Sequence, residues 1–140
     1  MSDKFDGLYS IRSATPEDRN FVLKSFLLGL YYGDSWFSRI PKNIFMDNYK
    51  RAAVMLFDNP GNLVVIACLS EDPQVILGYS ILSANGETVH WVYVKQSWRK
   101  RGIMTRLIPQ SVQNTTHLTE LGSTIIKKLK PNLVFNPFIT

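Results

Sequence analysis

The sequence predicts an α+β domain built on a mixed sheet. Three observations carry this. A capped helix start follows a short alternating segment near the N-terminus. An apolar, β-branched run and a hairpin occupy the middle of the chain. A basic loop then opens a further helix before the chain returns to extended structure. The chain has 140 residues, which fits one domain spanning 1–140 and suffices to bury a core without disulfides or metals.

Residues 8–13 alternate as a strand should, with Tyr9, Ile11 and Ser13 opposite Leu8, Ser10 and Arg12. Thr15-Pro16-Glu17-Asp18 then reads as a helix start. Thr15 can cap, Pro16 suits the first helical position, and Asp18 stands where a capping-box acid belongs. Phe21, Val22, Ser25, Phe26, Gly29 and Leu30 recur at helical spacing, so this helix should run to about Tyr32, where Gly33-Asp34-Ser35 breaks it. Residues 36–42 read as an aromatic and basic loop. A second helix is expected over 42–58, ended by Asn59-Pro60-Gly61-Asn62.

Residues 63–69 form the apolar run and read as a buried strand. After the Ser70–Pro73 turn, strands are expected over 75–83 and 88–95, joined through the turn-forming pair Asn85-Gly86. The second of these should place Thr88, His90, Val92 and Val94 on one face and Val89, Trp91, Tyr93 and Lys95 on the other. The helix after Gly102 should be short or kinked because of Pro109. Residues 111–116 lead into a strand. Residues 119–130 form a last helix, with Thr119 as its cap and Lys127, Lys128 and Lys130 near its negative end. Residues 132–138 close the chain as a strand.

Composition excludes several classes. Hydrophobic residues at 45% and charged residues at 19% exclude bulk disorder. No apolar run approaches the ~20 residues that span a bilayer. Met1-Ser2-Asp3-Lys4-Phe5-Asp6 lacks the basic start and apolar stretch of a signal peptide. Cys68 is the one cysteine, which excludes an internal disulfide and a cysteine-rich zinc site and leaves no metal site to propose. These features suggest the cytoplasm. The net charge of +5 favours an anionic ligand without choosing among nucleic acid, an anionic cofactor and plain solubility.

The most informative stretch is the strand, basic loop and helix from Val89 to Ile108. Lys95, Arg99, Lys100, Arg101 and Arg106 stand there with no acidic residue between them. Main-chain N–H groups at such a turn suit a phosphate, and Gly102 lets the backbone approach one closely. The alternative is an ordinary solvated basic turn.

Val94-x-x-x-x-Arg99-x-x-Gly102-Ile103 resembles motif A of the GNAT superfamily of acyl-CoA-dependent N-acyltransferases, whose pattern is Arg/Gln-x-x-Gly-x-Gly/Ala. The order of elements over residues 8–138 is similar to that fold. The resemblance implies a mixed central sheet flanked by helices, with acetyl-CoA or another acyl-CoA as cofactor. It implies that Val92 and Val94 pair with the pantetheine arm, and that Arg99, Lys100, Arg101, Gly102, Ile103, Met104 and Thr105 cradle the pyrophosphate. Met104 departs from the pattern, which has Gly or Ala at that position.

The family also supplies expectations for acid–base groups. Thr88 matches the usual glutamate position and cannot act as a base. His90 matches one of two strand histidines in the arylalkylamine acetyltransferases, which makes it the candidate catalytic base; the alternative is a hydrogen-bonded core histidine. The last helix lacks the tyrosine that commonly protonates the leaving thiolate. His117 is the nearest titratable residue to that role, with local capping or packing as its alternative. Tyr31, Tyr32, Trp36 and Arg39 lie on the connection that often lines the acceptor pocket in this family; they can equally pack back onto the sheet.

The resemblance therefore implies an N-acetyltransferase in which a small-molecule or macromolecular amine attacks the thioester directly. The alternative is an inactive module on the same fold that binds nucleic acid or a protein partner. The compact form is similar to small bacteriophage-encoded members, which implies a bacterial host cytoplasm. Neither the acceptor nor pairing into a homodimer is legible.

Overall fold

A computed structural model describes residues 7–139, apart from the side chains of residues 120, 121 and 124. The first six residues, read above as lacking a leader, lie outside it. The chain begins with β1 (Tyr9–Ser13) and a single 3-10 turn, Pro16–Asp18, that leads into α1 (Arg19–Gly33). The turn is held as the sequence anticipates: the Asp18 carboxylate accepts the Thr15 N–H at 2.8 Å. It also accepts two N–H groups of Arg12 at 2.7 and 2.9 Å, which ties β1 to the start of α1.

The expected loop over 36–42 instead contains one helical turn, α2 (Ser35–Ser38). Asp34 is extended and its side chain accepts the N–H of Trp36, so the residue read as a helix breaker restarts a helix as its cap. Next come α3 (Lys42–Asp58), β2 (Asn62–Leu69), β3 (Ile76–Ser83) and β4 (Thr88–Val94). A 3-10 turn, Gln96–Trp98, precedes α4 (Ile103–Leu107), which is short, as Pro109 requires. Finally, β5 (Asn114–Thr115), α5 (Glu120–Leu129) and β6 (Val134–Phe135) complete the order. The strand expected over 132–138 shrinks to two residues because Pro131 and Pro137 flank it and neither can donate to a ladder.

Among the described residues, six strands form one mixed sheet in chain order. Strands β1 to β4 are antiparallel, whereas β4–β5 and β5–β6 are parallel. One face packs on α1 and α3 through Phe26, Leu30, Phe45, Ile66, Tyr79 and Ile81. Each such buried side chain contributes on the order of 1.5–3 kcal/mol. The Tyr79 hydroxyl crosses this layer and hydrogen-bonds Ser25 and the Val22 carbonyl of α1. The other face packs Tyr9, Ala67, Leu77 and Val94 on Ile103 and Leu107 of α4.

The alternation expected along β4 is broken. Ile81 pairs with Trp91 and Leu82 with Val89, so His90 is an extra residue without a partner on β3. This bulge moves Val89 to the α4 side, where it packs with Leu82, Ile108 and Val112, while Trp91 joins the α1 side. No helix among the described residues is long and apolar enough to cross a membrane.

Candidate active site

The site begins where two strands part. β5 pairs with β4 only at Thr88–Asn114 and Val89–Thr115. The Thr116 N–H donates to the Val89 carbonyl at 3.3 Å, and the chain then turns into α5. Beyond that rung no strand among the described residues neighbours the outer edge of β4. The Lys95 N–H points inward, to the Leu77 carbonyl of β3 at 2.8 Å. Because main-chain groups alternate along a strand, those of Val92 and Val94 face the open edge. The Val94 carbonyl confirms the direction, since it accepts from Nε of Arg99 at 3.0 Å rather than from β3.

The opening is a cleft of 160 Å³. Its walls are Val89 and residues 91–94 of β4, Gly29 and Gly33 of α1, and Gly122, Ile125 and Ile126 of α5, with Arg99 and Met104 at one end and Thr115 and residues 117–119 at the other. Thr119 caps α5 by accepting the Gly122 N–H at 2.9 Å. The Met104 side chain lines the cleft and packs against the clusters around Val94 and Val89.

The loop itself turns sharply. Gly102 has φ 81° and ψ 2°, and Lys100 has φ 63°, both left-handed. Gly102 offers no side-chain oxygen, so the first-turn N–H groups of α4 have no side-chain cap. Three of the basic side chains lie on aromatic rings: Lys95 over Phe21 at 5.5 Å, Arg101 over Trp98 at 4.7 Å and Arg106 over Tyr9 at 5.0 Å.

The two histidines converge on one hydroxyl. Nδ1 of His90 lies 2.8 Å from Oγ1 of Thr116, and Nδ1 of His117 lies 2.9 Å from the same oxygen. His90 is 3% exposed and does not line the cleft, whereas His117 does. The His117 ring stands edge-on to Phe26, which in turn stacks on Trp91 at 5.0 Å. Burial lowers the pKa of His90. Burial pushes His117 down to about 4, helped by the charge of His90 and opposed by a contact with the His90 main chain.

The aromatic candidates sit elsewhere. Tyr31 is buried against Phe45, and its hydroxyl donates to the Ile40 carbonyl at 2.7 Å. Tyr32 is exposed, with Nζ of Lys42 5.3 Å above its ring. Trp36 and Arg39 are exposed. None of the four lines the cleft. Sequence reasoning did not single out Thr116 or Trp91, because a threonine beside a histidine and a tryptophan on a strand carry no spacing signal.

No protein-family model and no curated protein matches the sequence. Solved structures do match in fold. A predicted acetyltransferase with acetyl-CoA from Clostridium acetobutylicum is 16% identical, with a TM-score of 0.59 over 88% of this chain and 89% of that one. A possible acetyltransferase from Clostridium difficile 630 is 12% identical, with a TM-score of 0.56 over 95% of each chain. The fold is that of the GNAT acetyltransferases. AAC(6')-Iy, in complex with the bisubstrate analog CoA-S-monomethyl-acetylneamine, shares the GNAT fold at 18% identity, with a TM-score of 0.51 over 91% of this chain and 90% of that one. In this GNAT fold the chain places a hydrogen-bonded cluster, His90, Thr116 and His117, beside the cleft between β4 and β5.

Proposed function

We propose that the chain is an acyl-CoA-dependent N-acyltransferase. One observation carries the reading: β4 parts from β5 after Val89 and leaves the main chain of Val92 and Val94 facing a cleft that ends at the loop before α4. That edge can pair with an extended amide-bearing arm as a missing strand would. The loop over residues 99–105 then stands where a diphosphate would lie, with Arg99, Lys100 and Arg101 as counter-charge and Gly102 permitting close approach. Acyl-CoA in the GNAT-fold structures with acetyl-CoA or a CoA bisubstrate analog supports the same occupant.

The cofactor supplies an acyl thioester for an amine to attack. The chain supplies the rest. The main chain at the free edge of β4 holds the arm and offers N–H groups to developing negative charge on oxygen, an effect worth ~3–4 kcal/mol per donor. Trp91, Ile125 and Ile126 make an apolar wall that keeps water from the reacting end. Tyr32 at the exposed end of α1, and Trp36 and Arg39 in and just after α2, are the proposed outer contacts of an acceptor, while Tyr31 supports them from the core.

The test is thiol release from acetyl-CoA in the presence of primary amines of several classes: a polyamine, an arylalkylamine, an aminoglycoside and a lysine peptide. The expected result is amine-dependent release with at least one of them. No release with any, together with salt-sensitive binding to DNA or RNA, would establish the binding module instead.

A further inference from the structure

We propose that His117, Thr116 and His90 act as one proton store for the transfer reaction: His117 takes the proton from the attacking amine, Thr116 passes it to His90, and it returns by the same path to the departing sulfur. This rests on the acyltransfer reading and adds to it the assignment of both base and acid.

The shared hydroxyl makes the path. Oγ1 of Thr116 lies within hydrogen-bond distance of Nδ1 on both rings. A hydroxyl has one proton and two lone pairs, so it can donate to one ring while accepting an N–H from the other. In that arrangement, the one the relay uses, the two neutral rings carry opposite tautomers. A proton arriving at Nε2 of His117 lets its Nδ1 proton pass to the Thr116 oxygen, and the hydroxyl proton pass to Nδ1 of His90. No side chain has to move.

Access gives the path a direction. Among the described side chains lining the cleft, His117 is the one imidazole, none is a carboxylate, and Tyr93 and Arg99 are the other ionisable groups. His90 is buried behind it. A charge on His90 disfavours one on His117, so the neutral pair takes up no more than one extra proton. The His117 ring otherwise meets the His90 main chain and Phe26 of α1, neither of which carries a charge.

The balance closes. The amine lone pair forms the C–N bond, the C–S bond breaks with its electrons on sulfur, and the proton lost by nitrogen ends on that sulfur. Amine and thioester give amide and thiol, and the histidine pair is unchanged. The absence of a tyrosine from the α5 sequence then leaves no role unfilled.

The chain has two histidines, so ¹⁵N-histidine labelling reports this pair alone. In the wild type and in Thr116→Ser, one ring should be protonated at Nδ1 and the other at Nε2. Thr116→Val should lose that complementarity. With acetyl-CoA and an accepted amine, Thr116→Val and His90→Asn should lower kcat about 10²-fold, with acetyl-CoA affinity unchanged within about twofold and Thr116→Ser restoring the rate. The same tautomer on both rings, or a Thr116→Val spectrum like the wild type, overturns the proposal. Wild-type turnover in Thr116→Val also overturns it while leaving acyl transfer standing. Failure of the wild type to bind acetyl-CoA removes the acyltransfer reading, and the proton store with it.

Discussion

Gly29 of α1 sits so close beneath Trp91 of β4 that a methyl group on it would lie 2.8 Å from Cζ2 of the indole. The indole cannot yield easily, because Phe26 stacks on it with an interplanar angle of 12°. This contact sets the distance between α1 and the wall of the cleft.

Gly29→Ala should therefore destabilise the protein, although it improves helix propensity. The helix gains ~1 kcal/mol, but overpacking a fixed aromatic pair costs ~1–3 kcal/mol. A net loss of up to about 2 kcal/mol is expected from urea unfolding. A raised midpoint would show that Trp91 is free to move.

Lys100 and Gly102 make an opposed pair of tests in the basic loop. An L-residue in the left-handed region costs ~1–2 kcal/mol, and Lys100 stands there with φ 63°. Lys100→Gly should leave stability unchanged or raise it by up to about 1 kcal/mol, after the ~0.5–1 kcal/mol entropic cost of glycine. Gly102→Ala should lose about 1 kcal/mol by the same argument reversed. Urea midpoints moving in the other directions would contradict the loop geometry.

Much of the fold was legible because its signals are local. Thr15, Pro16 and Asp18 announce α1, and Asn85-Gly86 announces the hairpin; in each case the residues that signal the turn also make its hydrogen bonds or supply its positive φ. The bulge at His90 was not legible. It depends on how β3 and β4 slide past one another, and nothing in Thr88–Val94 breaks the alternation. For the same reason the sequence gives His90 the position nearest the chemistry, while the structure puts His117 at the cleft with His90 behind it. Tyr31, Tyr32, Trp36 and Arg39 lie close in sequence, but Tyr31 and Tyr32 stand about 100° apart on α1, one buried and one exposed, and Trp36 belongs to the separate turn α2.

Acid should destabilise the chain in two stages. His117 has its folded pKa depressed to about 4 against 6.5 unfolded, so the unfolded state binds more protons between those values. Stability should then rise with pH through that window, and about 3 kcal/mol should be lost between pH 7 and pH 4. Burial of His90 acts in the same direction. Asp18 takes over below this. Its hydrogen bonds from Arg12 hold its pKa below 3.8, so its contribution is present above that value and is lost as pH falls further. Asp18→Asn should cost about 3 kcal/mol at neutral pH, since it leaves a half-buried guanidinium without its partner. Thermal unfolding across pH 3–8 checks the window, and a flat profile between pH 4 and 6.5 would contradict the neutral, buried state of the histidine pair.

Calorimetric titration with acetyl-CoA tests most directly whether the parted edge of β4 and the loop after it seat an acyl-CoA. The expected result is a saturable 1:1 heat. The absence of binding at millimolar acetyl-CoA would contradict it.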